Sequence, residues 1–243
     1  MKIYKSTYEL LIPVIAAIVG TVGISGVVDN GVDPVLGHTY TLSVCNSGWA
    51  TKGFPLTIQG SQYLITNVEP NISITVSGTV LPTVGAFELY RPKFYHGTVN
   101  STATDLARDV NNGQMGVDKL PMIWLREPLE SVVSLQDFDA VLRTSQCDLY
   151  FAISEDFAQY TNDDRFTYAV KPMKQLAQAF IDALNLSGVV DPTNLKSLSE
   201  TEYAILGTVM QKDGSSKNVF NMNLSGYKMS ISIPFVRNQG NCC

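Results

Sequence analysis

Hydrophobic and polar positions change their rhythm along the chain, and the clearest run lies between Lys119 and Leu186. It reads KLPMIWLREP, then QCDLYFAIS, then YTNDDRFTYAVKPMKQLAQAFIDALNL. Pro121 to Leu125 is a short apolar run that predicts a buried strand. In Ser145 to Ile153, Cys147, Leu149, Phe151 and Ile153 alternate with Asp148, Tyr150 and Ala152, which predicts a strand with one core face and one less apolar face. From Arg165 to Leu184, residues Phe166, Ala169, Val170, Met173, Leu176, Ala177, Phe180, Ile181 and Leu184 form the stripe of a helix laid on that sheet. Thr161 or Asn162 caps it, Asp163 and Asp164 suit the positive end of its dipole, and Pro172 predicts a kink. Tyr203 to Met210 and Tyr227 to Pro234 complete the sheet, with Lys212 to Ser215 as a turn. In the last strand Met229, Ile231 and Ile233 point one way.

Before this block, the pattern shortens to β segments punctuated by glycine. His38 to Cys45, Phe54 to Gln59, Gln62 to Val68 and Ser73 to Ser77 are predicted strands, and Gly60-Ser61 reads as a two-residue hairpin turn. Asn46, Gly48, Trp49, Thr51 and Gly53 form a tight turn that puts Trp49 as a lid on the core of this β module. Ser6 with Glu9 predicts a capping box for a first helix, with Leu10, Leu11, Val14, Ala17 and Ile18 on one face and Pro13 as a flaw. The same start, with Lys2 and Lys5 before LLIPVIAAIVG, has the layout of a signal peptide. Its apolar run is too short to span a membrane, which takes about 20 residues.

The reading is therefore α+β: a mixed sheet with packed helices plus a small all-β inserted module. Four parts are expected: an amino-terminal helix and linker at 1–36, the β module at 37–98, an interaction loop at 99–120 and an α+β core at 121–243. The segment PTVGAFELYRPKFYHGTVNSTATDL is rich in Gly, Pro, Asn and Thr, and long irregular segments usually serve contacts. Its aromatic group Phe87, Tyr90, Phe94 and Tyr95, with His96, is costly to leave wet, so these residues and Trp49 are the candidate interaction residues. Removing residues 85–118 is expected to abolish assembly and leave the core folded.

Composition sharpens this picture. Of 243 residues, 45% are hydrophobic and 16% charged, sparser in charge than the ~25% of an average domain. Low charge points to surface buried in an assembly. The net charge of -5 and the lack of a basic stripe exclude a nucleic-acid reader, although an acidic wall suits a conduit that DNA passes without being held.

Candidate chemistry is thin. The chain has two histidines and four cysteines, Cys45, Cys147, Cys242 and Cys243, none at metal-ligand spacing. Cys147 reads as a small core hydrophobe. Cys242-Cys243 has the form of a prenylation signal without the phosphate-binding loop of the GTPases that carry it. HExxH, GxSxG and GxGxxG are absent, and the pairs Glu155-Asp156 and Asp163-Asp164 are not placed for acid-base work. No enzymatic activity, cofactor or metal is expected.

The order of segments, namely the CNSGW turn, SQYLITNV, LYRPKFYHGT, KLPMIWLREP and DDRFTYAVKPMKQLAQAFIDAL, resembles structural proteins of the neck and tail of tailed bacteriophages, particularly those of Bacteroides and crAss-like phages. The likeness covers Thr39 to Leu184 and brings no catalytic residue with it. It implies a tail-completion or tail-terminator-like core forming a homo-oligomeric ring, of roughly six or twelve copies. Such a ring sits between portal and tail, touches the adjacent phage proteins and lets DNA pass without specific binding. It implies location in the virion, with assembly in the host cytoplasm and no membrane partner. Two other classes stay open on sequence alone: a secreted or surface-anchored bacterial binding protein, and an enzyme built around His96.

Overall fold

The computed structural model describes residues 6–107, 119–133, 143–154, 161–190, 196–206, 208–210, 216–218 and 224–235. Helix α1 (Thr7–Ala16) begins with the expected capping box: the Ser6 hydroxyl accepts from the Glu9 amide at 3.2 Å, and the Glu9 carboxylate accepts from the Ser6 amide at 2.6 Å. Its buried side is Leu11, Val14 and Ile15, followed by Ile18, while Ala17 is exposed.

After α1 the chain departs from the expected linker. Thr21–Asp33 is a 13-residue strand, β1, followed by β2 (Gly37–Val44), β3 (Pro55–Ile58), β4 (Ser61–Glu69), β5 (Ser73–Gly78) and β6 (Gly85–Glu88). These six form one antiparallel sheet in the order β3-β4-β5-β2-β1-β6, whose edge strands β3 and β6 pack together so that the sheet nearly closes. The register explains the interior: Leu42 lies opposite Ile74, Ile74 opposite Val68, and Val22 opposite Phe87, all buried. Ser25, Asn30 and Thr66 are extra residues at bulges, which let a short sheet curl. The β3–β4 turn is one residue earlier than the sequence signal. Gln59 (φ 49°) and Gly60 (φ 85°) are its two central residues, both in the left-handed region, as a type I′ turn requires.

The second sheet is mixed, in the order β10-β13-β9-β8-β7, with β7 (Lys93–Gly97), β8 (Met122–Val133), β9 (Arg143–Ser154), β10 (Lys196–Leu206) and β13 (Leu224–Phe235). Only the β7–β8 pairing is parallel. The β module thus runs from Thr21 to Glu88, and Lys93–Gly97 belongs to the other sheet. Strand β8 does not stop at Arg126-Glu127-Pro128. Arg126 pairs with Asp148 and Glu130 with Gln146, so two extra residues bulge out where Pro128 has no amide to give the ladder. The expected strand over 203–210 is divided between the end of β10 and β11 (Thr208–Met210), which pairs with β12 (Ser216–Asn218). The turn expected at 212–215 lies outside the described residues.

The long helix is built as expected at its start and resolves its proline by a change of pitch. Thr161 caps α3 (Asn162–Arg165) with a second capping box involving Asp164. A π-helical stretch, Phe166–Val170, follows, then α4 (Lys171–Leu186) with Pro172 in its first turn. Helix α4 lies on the face of the mixed sheet that carries Leu149, Phe151 and Tyr227. The Phe151 and Phe180 rings meet edge to face at 5.9 Å. Both faces of β9 are covered from Leu149 to Ile153, so the expected less apolar face is also buried there. One continuous set of buried side chains links the two sheets.

Candidate functional site

The sequence-chosen residues fall into three environments. Trp49 and Phe87, both candidate interaction residues, are core residues in the subunit, 5% and 4% exposed. The Phe87 side chain fills the barrel opposite Val22. Trp49 does act as a lid: its ring lies against Gly20, where an added Cβ would meet it at 2.6 Å, and its indole N–H donates to the Tyr90 carbonyl at 2.8 Å. Tyr90 is exposed.

Phe94, Tyr95 and His96 are divided by the strand they form. On β7, Phe94 and His96 point to the face covered by α1, where the Tyr8 ring stacks on His96 at 3.7 Å and on Phe94 at 5.2 Å. Tyr95 points to the opposite face, beside Trp124 in the register. His96 is exposed, with the Tyr8 ring stacked on it. The expected loop at 99–120 is helical over α2 (Val99–Ala107), and residues 108–118 lie outside the described ones. Removing 85–118 would take away β6, β7 and α2, all integral to the fold, so it cannot leave the core intact.

Sequence reasoning missed the most exposed apolar feature. The β1–β2 hairpin extends past its neighbours: β6 pairs only with Thr21–Ile24, and β5 pairs with β2 only from Thr39. On it Val28, Val32, Val35 and Leu36 are 57%, 69%, 87% and 45% exposed. Its tip is ordered by one carboxylate. Asp33 accepts from the Val35 amide at 2.8 Å and the Leu36 amide at 2.9 Å, and these bonds hold the carboxyl below its ordinary range, Leu36 contributing most. Gly37 then takes φ 76°, which favours glycine. The Asp-Pro-x-x-Gly string at 33–37 was the sequence signal for this turn.

Two polar clusters lie on opposite faces of the mixed sheet. On one, the Lys228 ammonium is 2.7 Å from the Asp148 carboxylate, which also accepts from Ser230, and Arg126 donates to the Tyr150 hydroxyl at 3.1 Å. Burial pushes the Asp148 carboxyl up, but Lys228, Ser230 and Arg126 together hold it below its ordinary value. On the other, a groove of about 270 Å³ between α4 and β10 is lined by Lys171, Lys174, Gln178, Ile181, Glu200 and Tyr227, among others. Lys174 is paired with Glu202 at 3.0 Å and Glu200 at 3.8 Å. Burial and the Glu200 hydrogen bond push the Tyr227 hydroxyl far above the usual phenol range. In each cluster a lysine is paired with a carboxylate.

Among the described residues no group of three His, Cys, Asp or Glu is placed to hold a metal, and no helix is long and apolar enough to cross a membrane. The pair Glu155-Asp156 and the terminal cysteines lie outside the described residues. Cys147 is buried and Cys45 exposed. No family model, curated protein or solved structure matches the chain.

Proposed function

We propose that the chain is a structural virion protein, one subunit of a homo-oligomeric ring in the neck or tail of a tailed bacteriophage. The ring, of roughly six or twelve copies, joins the portal end of the head to the tail and lines the channel through which DNA passes. The observation that carries the assembly reading is the β1–β2 hairpin, with Val28, Val32, Val35 and Leu36 exposed on a projecting arm. Clustered apolar side chains on an arm favour a neighbour that covers them. Sparse charge supports the same reading, and the order of segments resembling phage neck and tail proteins supplies the location. The subunit performs no reaction in this role. Its net charge of -5 keeps DNA from adhering if carboxylates face the lumen.

Native mass spectrometry and negative-stain microscopy of the purified chain test the reading. A closed ring of uniform copy number is expected. A monomer at the highest soluble concentration overturns it.

A further inference from the structure

We propose that copies of the chain join head to tail by strand addition, the open edge of β1 beyond Ile24 in one copy lying along β7 of the next. This rests on the ring reading and names the contact that would build it.

Both edges are unpaired among the described residues. β1 runs to Asp33, but β6 accompanies it only to Ile24, so Ser25–Asp33 has β2 on one side and no strand on the other. β7 is the terminal strand of its sheet, with β8 as its only strand neighbour. The Lys93 amide donates to the Pro121 carbonyl, which sets the phase of the parallel ladder. The backbone groups of Phe94 and His96 therefore face outward. Open edges of this kind are templates for a further strand, with main-chain hydrogen bonds supplying affinity and side chains the choice of partner.

Topology keeps one molecule from satisfying itself. β6 runs antiparallel to β1, from Gly85 opposite Ile24 to Glu88 opposite Thr21, and then leads to β7. The open part of β1 therefore extends away from the end of β6 at which β7 begins. A second copy is needed to bring the two edges together.

Charge selects the crossed pairing over a symmetric one. From Ser6 to Thr51 the chain has no Lys or Arg, and the open edge of β1 carries Asp29 and Asp33. From Tyr90 to His96 it has Arg91 and Lys93 and no carboxylate. Joining β1 to β1 would set carboxylates against carboxylates, and joining β7 to β7 would oppose the cations. Joining β1 to β7 pairs opposite signs and brings exposed Val28 toward the aromatic residues of β7. A contact between two different patches is heterologous, the kind that closes into a ring when its rotation permits. The bulge at Asn30 limits the regular stretch to Gly26–Asp29, a close match in length to the five residues of β7.

Disulfide trapping tests this in chains whose Cys45, Cys242 and Cys243 are replaced by Ser. One chain carries Val28→Cys, another His96→Cys, and the two are expressed separately and together. A cross-linked dimer is expected only from the coexpressed pair. In parallel, Arg91→Glu with Lys93→Glu should weaken subunit association by roughly tenfold, and adding Asp29→Lys should restore it. A disulfide dimer from Val28→Cys alone means symmetric β1 pairing and overturns the proposal. Intact rings with no cross-link and no response to charge reversal overturn it while the ring reading stands. A monomeric wild-type chain removes both.

Discussion

Thr51 donates its hydroxyl to the Tyr168 carbonyl at 2.6 Å, the carbonyl that a residue at 172 would bond in a regular α-helix if it were not proline. The helix widens into a π turn just there, with the Lys171 amide bonding the Phe166 carbonyl. A threonine from the barrel thus occupies a place that the proline vacates. The same seam is reinforced by the Tyr168 hydroxyl on Asn67 at 2.7 Å and by Gln175 on Asn71 at 3.2 Å.

Replacing Thr51 with Val keeps the shape and removes the donor in a buried setting, so it should cost about 1–3 kcal/mol in urea unfolding. Pro172→Ala returns an amide that can reach Tyr168. In the double variant the loss should be smaller than the sum of the single losses, by at least ~0.5 kcal/mol. Strict additivity would mean the two groups do not share that carbonyl.

The close approach of β13 to β9 gives a second expectation. A Cβ on Gly226 would lie 2.0 Å from the Phe151 carbonyl oxygen and 3.1 Å from the Ala152 Cα, both backbone atoms between central strands. Gly226→Ala should therefore destabilise by about 1–3 kcal/mol or more. Gly23, also in a strand, has nothing within 4 Å of its added Cβ, so Gly23→Ala should change stability by less than about 0.5 kcal/mol. Equal thermal shifts in the two variants would contradict the packing described for β13.

Where one periodicity dominated, the sequence was easy to read. The helix stripe from Ala169 to Leu184, the Ser6 capping box, the Thr161 cap and the core face of Cys147, Leu149, Phe151 and Ile153 all describe contacts that form, because each follows from a local pattern, whereas Phe166 at the head of the stripe is exposed. β1 was missed because Gly23, Gly26 and Gly31 dilute its alternation, and bulges at Ser25 and Asn30 shift the side chains between faces. The aromatic group at 87–96 looked like one loop surface. Its residues belong to two sheets, and the parity of β7 sends Tyr95 to the face opposite Phe94 and His96, a division that only the pairing partners determine. The strand expected to end at Leu125 runs on past Pro128, because nothing in local sequence distinguishes a stop from a bulge.

The turn at the tip of the β1–β2 hairpin should respond to acid. The amides of Leu36 and Val35 hold the Asp33 carboxyl below its unfolded value, so the turn gains its full stabilisation above the ordinary carboxylate range, near ~3.9. That stabilisation is lost as pH falls through the lower folded value. The Val35 and Leu36 amide resonances should therefore titrate with a midpoint below the ordinary one. Asp33→Asn should abolish that titration. A midpoint at or above the ordinary value would rule out the hydrogen bonds as its cause.

The chain's two tryptophans fasten the two ends of the segment that holds β7. Trp49 donates to the Tyr90 carbonyl at 2.8 Å, and Trp124 donates to the Gly97 carbonyl at 3.1 Å. Both indoles are buried, so each bond removes a polar group from an otherwise apolar site while fixing a backbone point on either side of Phe94 and His96. Replacing either tryptophan with Phe keeps most of the apolar contact and leaves a carbonyl without that donor, at a cost of about 1–3 kcal/mol. The more telling readout is local: hydrogen exchange at Lys93 and Tyr95, the β7 amides that face β8, should accelerate in both variants relative to exchange in β4, which neither indole bonds. A uniform acceleration across the chain would instead mean that the tryptophans stabilise the whole fold without holding β7 in place.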